Sequence, residues 1–210
     1  MWISGLLLMG AFLIVRMKRI HDAVLVLGFQ SIVLAVLTWQ YAMSEHTLHL
    51  YIAAILTLII KALLIPGVLV YTIRKIDVKR EVVRYMPKTT SLMITILLTI
   101  ASFFIIDRMQ LLDVNSPTGT LLATGFSLMM IGIFIMIDHM KAIMQGIGLI
   151  VIENGLYLTS LGLLGGMPLI IDIGIFFDLL ISVIVIGILS YHINHTFESL
   201  STENLKKLKG

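Results

Sequence analysis

The sequence predicts an all-α, polytopic membrane protein, on three observations. Apolar runs of crossing length follow one another almost without a break, the polar gaps between them are short, and lysine and arginine collect in alternate gaps. Hydrophobic residues make up 59% of the 210-residue chain, and a mean hydropathy of +1.04 leaves too little polar surface to coat a soluble globule. A hydrocarbon core about 30 Å thick takes about 20 mostly apolar residues per crossing. Seven transmembrane helices are therefore expected, at 2–15, 23–43, 48–73, 89–106, 118–137, 142–164 and 168–191.

The first span has no basic segment and no small-residue cleavage site before Arg16–Arg19, so it is expected to be retained and not cut as a leader. Only the segment Arg74–Thr89 and the tail after His192 are distinctly polar. The whole of 1–210 reads as a single membrane domain. Within it, 1–73 forms a first three-helix unit, and 74–117 a cytoplasmic loop, a connector helix and an external loop. Residues 118–192 form a second three-helix unit, and 193–210 a polar cytoplasmic tail. Gly10–Ile14 before the Arg16–Arg19 turn parallels Gly132–Met136 before Asp138–Lys141, and Gly28-Phe29-Gln30 parallels Gly148-Leu149-Ile150. Lys61 and Asp178 match in the third helices, which Tyr71 and Tyr191 close. Copies about 120 residues apart, with four spans between corresponding helices, make a parallel repeat in which both units enter the membrane in the same direction. Chance similarity among helices rich in leucine and isoleucine is the competing explanation.

Basic residues near span ends stay on the cytoplasmic side. Of the 15 lysines and arginines, all but Arg108 and the intramembrane Lys61 fall in the gaps after spans 1, 3 and 5 or in the tail. The expected placement is the cytoplasmic (inner) membrane, with the N-terminus outside and the C-terminus inside. The net charge of +3 then belongs to loops facing anionic lipid or a partner, and it calls for no nucleic acid.

Cysteine is absent, which removes iron–sulfur ligation, thiolate nucleophiles and disulfides together. His21, His46, His49, His139, His192 and His195 all fall at span ends or in loops, so no metal or cofactor site and no catalytic residue is expected. The informative residues are ionisable ones within spans, because a charge at mid-bilayer costs about 3 kcal/mol or more. These are Lys61 in span 3, Glu153 in span 6, and Asp172 and Asp178 in span 7. They could form a proton or cation path, or Lys61 could make a purely structural ion pair with one carboxylate.

Residues four apart share a helix face, and residues seven apart nearly do. Gly146, Glu153 and Ser160 form a polar stripe with Asn154 beside it, and Gly174, Asp178 and Ser182 form another. Gly148, Gly155 and Gly162 make a smooth ridge suited to close helix packing. Pro66, five residues after Lys61, cannot donate a helical hydrogen bond, so it frees a carbonyl near Ala62 and invites a local break.

With these residues in place a resemblance emerges. Gly148-Leu149-Ile150-Val151-Ile152-Glu153-Asn154-Gly155, Asp172-Ile173-Gly174-Ile175 with Asp178, Ile60–Pro66 and the terminal Leu208-Lys209-Gly210 resemble hydrogenase-4 component E over essentially the whole chain. The resemblance implies a non-catalytic membrane subunit of a nickel–iron hydrogenase complex of the formate hydrogenlyase type. Its partners would be antiporter-like membrane subunits and peripheral hydrogenase and iron–sulfur subunits. Its last three helices would be related to the small K-type subunit of complex I and the C-type subunit of multisubunit cation/proton antiporters. Where the complex I relative carries a glutamate after a Gly-Leu pair, this chain has Ile150, and Glu153 follows one turn later. The implied role is proton relay by Glu153, Asp178, Asp172 and Lys61, supported by Asn154, Pro66 and Ser182. An antiporter subunit and a scaffold without a relay are the alternatives.

Overall fold

The computed structural model describes residues 2–75, 82–109, 116–164 and Ile184. The described residues are helical apart from short connections. α1 is Trp2–Arg16, α2 Ile20–Glu45, α3 Leu48–Leu56, α4 Ile65–Lys75, α5 Lys88–Arg108, α6 Pro117–Asp138 and α7 Ala142–Leu164, with a π-helical segment, Thr57–Leu64, joining α3 to α4 into one rod. Among the described residues, five helices are long and apolar enough to cross a membrane: Ile20–Glu45, Leu48–Arg74, Lys88–Arg108, Pro117–Asp138 and Ala142–Leu163. The expected first span is apolar but has only 15 residues, about 22 Å at 1.5 Å per residue, which is less than a full hydrocarbon core. The seventh, at 168–191, lies outside the described residues, as does the tail.

Lipid as the solvent explains which side chains face out. Leu25, Phe29, Ile32, Val36, Trp39 and Met43 line one face of α2 at three- and four-residue steps, all exposed. The opposite face buries Leu27, Gln30, Ser31, Leu34 and Thr38. Polar groups thus face inward, where neighbouring helices can satisfy them, and apolar groups face outward. On α5 the buried residues are Ser91, Thr95, Ser102 and Ile106. The hydroxyls of Thr95 and Ser102 donate to carbonyls one turn back, at 2.7 Å each, so a small polar stripe packs without unmet donors.

α6 and α7 touch backbone to backbone. A Cβ built on Gly132 would lie 2.7 Å from the Gly148 carbonyl oxygen, and one on Gly148 would lie 2.8 Å from that of Gly132. Gly155 and Gly125 repeat the arrangement two turns on, at 2.5 and 2.7 Å. Gly162, against the Thr118 carbonyl at 3.2 Å, completes the ridge expected from the sequence. The apolar core is continuous from Leu7, Ala11 and Ile14 of α1 through Leu27 and Leu34 of α2 to Leu128, Ile131, Ile147 and Ile150 of the glycine-packed pair.

The connections place the basic gaps together. The Val82 amide donates to the Lys18 carbonyl at 2.9 Å, and the Tyr85 amide to the Asp138 carbonyl at 2.9 Å. The turns after α1, α4 and α6 therefore meet at one end of the bundle. At the other end the α2–α3 turn passes through His46 at φ 50°, the left-handed conformation that ends a helix sharply, and Trp39 meets Tyr51 edge-on at 5.0 Å. At the start of α6, the Ser116 hydroxyl accepts from the Gly119 amide at 3.0 Å, with Pro117 in the first helical position.

Candidate functional site

Lys61 occupies the middle of the Leu48–Arg74 rod, and Glu153 and Asn154 the middle of α7. The local backbone differs from the expected break. Over Thr57–Leu64 the helix widens to π geometry, with the Ile65 amide bonded to the Ile60 carbonyl, and the rod continues through Pro66. Widening the turn before proline lets the chain absorb the missing donor without kinking open. Gly28 makes room for this: a Cβ there would lie 3.4 Å from the Pro66 ring and 3.5 Å from the Ala62 carbonyl oxygen.

The Lys61 side chain is 1% exposed. Its ammonium lies 3.5 Å from the Glu153 carboxylate and donates to Asn154 Oδ1 at 3.3 Å. Asn154 Nδ2 donates to Gln30 Oε1 at 3.4 Å, and Gln30 Nε2 donates to the Leu7 carbonyl at 2.9 Å. An ammonium can only donate and a backbone carbonyl can only accept, so both ends of the line fix the orientation of both amides. Each amide turns its oxygen toward Lys61, and the aligned dipoles stabilise the positive charge. The Tyr157 ring centre is 6.0 Å from the ammonium, at the outer reach of a cation–π contact. Lys61, Glu153 and Tyr157 each make interactions beyond these.

The structure thus brings together Lys61, Glu153 and Asn154, with Pro66 one turn away. Asp172, Asp178 and Ser182 lie outside the described residues. Sequence reasoning missed Gln30 and Tyr157. Gln30 carried a usable signal: it is an amide in the middle of an apolar span, where an unmet polar group is costly. Chemically, Lys61 and Glu153 can exchange protons. Asn154 and Gln30 cannot, and they act as a brace running laterally from α7 through α2 to α1.

A second polar centre was also missed. Asp138, one residue past the expected span 118–137, is fully buried, as is His139. The segment 82–87 folds across the end of α6, pairing Arg84 with His139 in a single antiparallel bridge. Asp138 accepts from the Ser91 hydroxyl at 2.8 Å and from the Met86 amide at 3.1 Å. Arg84 donates to the Met17 carbonyl. The His139 ring donates through Nδ1 to the Ile135 carbonyl at 2.8 Å, and its pKa is held below the usual value by burial, with the Arg84 charge adding to the effect. Burial also lowers Arg84, partly offset by Asp138. This centre ties three connections into one cap.

Fold and site together define an all-α protein whose apolar helices can cross a membrane and whose interior holds a lysine–carboxylate pair. The chain is 27% identical over 207 residues to Uncharacterized protein Rv0085 of Mycobacterium tuberculosis (strain ATCC 25618 / H37Rv), covering 98% of this chain and 94% of that protein. No family model matches the chain, and no solved structure matches it.

Proposed function

We propose that this chain is a non-catalytic integral membrane subunit of a hydrogenase-4-like, complex I-related assembly. Its contribution is a buried carboxylate–lysine pair for proton or cation translocation, driven by redox chemistry in a peripheral arm. The observation that carries this reading is the Lys61 ammonium, buried at mid-span 3.5 Å from Glu153. Ionisable groups at that depth are costly, and they line ion paths in membrane proteins. Glu153, with its side chain 13% exposed against 1% for Lys61, is the member open to exchange. A proton taken up by Glu153 leaves Lys61 as an uncompensated cation, which favours release of that proton onward, and Asp178 is the proposed receiver. The resemblance in Ile60–Pro66, Gly148–Gly155 and Asp172–Asp178 supports placing the chain in this assembly.

The full arrangement proposed is seven spans in an inner membrane, N-terminus outside and C-terminus inside, with two parallel three-helix units joined by α5. In its support, α1 and α6 both end at the basic end of the bundle. The short Lys61–Glu153 contact also favours a second reading, in which the pair is static and the subunit is a scaffold. A multisubunit cation/proton antiporter would use the same pair without a redox partner.

Extraction of the native membrane in mild detergent tests the assignment. The chain should emerge in a large assembly with antiporter-like subunits and a nickel–iron hydrogenase module. Recovery with antiporter subunits alone would move it to the alternative, and recovery only as a monomer or homo-oligomer would refute both.

A further inference from the structure

Two adjoining clefts open at the basic end of the bundle. One, about 440 Å³, is lined by Arg19, His21, Asp22, Ile73 and Arg74. The other, about 400 Å³, is lined by Leu13, Arg16, Met17, Lys18, Arg19 and Asp22. They share Arg19 and Asp22. Among the described residues, none of Arg16, Lys18, Arg19 and Arg74 makes an ion pair, and Asp22 lies 3.9 Å from the ring of His21. Among the described lining residues, four cations thus surround one carboxylate, itself beside a histidine, giving an excess of positive charge in concave surface.

We infer that these clefts hold the phosphate of an anionic phospholipid. Depth selects lipid over a soluble anion. α1 ends at Arg16, α2 begins at Ile20 and α4 ends at Lys75, so the clefts lie where three helices leave the hydrocarbon and phosphates reside. Below the second cleft, Leu6, Met9 and Leu13 run along α1 at three- and four-residue steps, all exposed, forming one apolar face for an acyl chain whose headgroup sits among the basic residues. The headgroup charge would complete the balance that Asp22 leaves open.

The test is native mass spectrometry of the delipidated full-length protein, titrated in detergent with phosphatidylglycerol or phosphatidylcholine. Phosphatidylglycerol should be retained preferentially. Arg19→Gln with Arg74→Gln should weaken its binding about 25-fold, from about fivefold per basic residue, and leave phosphatidylcholine unaffected. Arg19→Lys with Arg74→Lys should retain most of the binding, and Arg108→Gln at the opposite end should retain all of it. Both arginines are exposed, so an unchanged melting curve checks that the variants remain folded. Equal retention of the two lipids, or wild-type binding by the double glutamine variant, overturns the inference. Release of bound phosphatidylglycerol by millimolar inorganic phosphate overturns the lipid assignment in favour of a soluble anion.

Discussion

Replacing Lys61 with methionine keeps most of the side-chain volume and removes the charge, leaving the Glu153 carboxylate facing an apolar group at mid-span. At 3.5 Å and an effective dielectric of about 20, the lost attraction is about 5 kcal/mol. Breaking one side of a buried pair costs about 3–5 kcal/mol in practice. Glu153→Gln should cost less, because its amide oxygen still offers Lys61 an acceptor and Asn154 Oδ1 remains at 3.3 Å. The double variant removes both charges and strands neither, so its cost should fall at least about 2 kcal/mol short of the sum of the single costs. Unfolding of the purified full-length chain by sodium dodecyl sulfate in mixed micelles gives all three values. Additivity within about 0.5 kcal/mol would refute the buried pair, because independent sites add to that precision.

Other parts of the fold are open to equally direct tests. Gly155→Leu would place a Cβ 2.5 Å from the Gly125 carbonyl oxygen, so α6 and α7 must separate, at about 1–3 kcal/mol or more in the same unfolding assay; an unchanged midpoint would contradict the backbone contact. Asp138→Ala strands the Met86 amide and leaves the Ser91 hydroxyl only the Pro87 carbonyl at 3.3 Å, and hydrogen exchange should show faster opening of 82–91 without a comparable change in α2. Because the folded-state pKa of His139 lies below its unfolded value, mainly through burial, the folded state binds fewer protons there. The cap is therefore most stable above about pH 6.5 and weakens as pH falls below it. Exchange at 82–87, corrected for intrinsic rates, should rise between pH 7.5 and 5.5, and His139→Gln should remove that rise. Reporter fusions after Lys88 and at Gly210 should read cytoplasmic and one after Asn115 external; an external C-terminus would contradict the proposed topology.

The sequence exposed what lipid solvation dictates and concealed what depends on contact between distant segments. Apolar runs located α2, the Leu48–Arg74 rod, α5, α6 and α7 because each must present a continuous greasy face. The seven-residue glycine spacing marked the α7 ridge because close backbone packing admits only hydrogen at those positions. Lys61 and Glu153 stood out because hydrocarbon penalises charge. Their meeting, 92 residues apart in sequence, was only one of several pairings that composition allowed. The burial of Asp138, just past the expected 118–137 span, was not legible for a physical reason: hydropathy does not register the segment 82–87 folding back over it. Pro66 signalled a missing donor correctly, but the backbone met that lack by widening over Thr57–Leu64 instead of breaking.

In the proposed role Glu153 carries a proton and the Lys61 charge drives its release, so the pair does more than hold helices together. The most direct measurement is proton uptake by inverted membrane vesicles carrying the intact assembly with Lys61→Met and Glu153→Gln combined, since this pair of substitutions removes the titratable site without stranding a charge. The complex should assemble and its peripheral arm still turn over, while coupled acidification falls at least about tenfold, in keeping with loss of a positioned proton-transfer group. Normal acidification by the assembled double variant would contradict the relay and leave the pair as a structural contact.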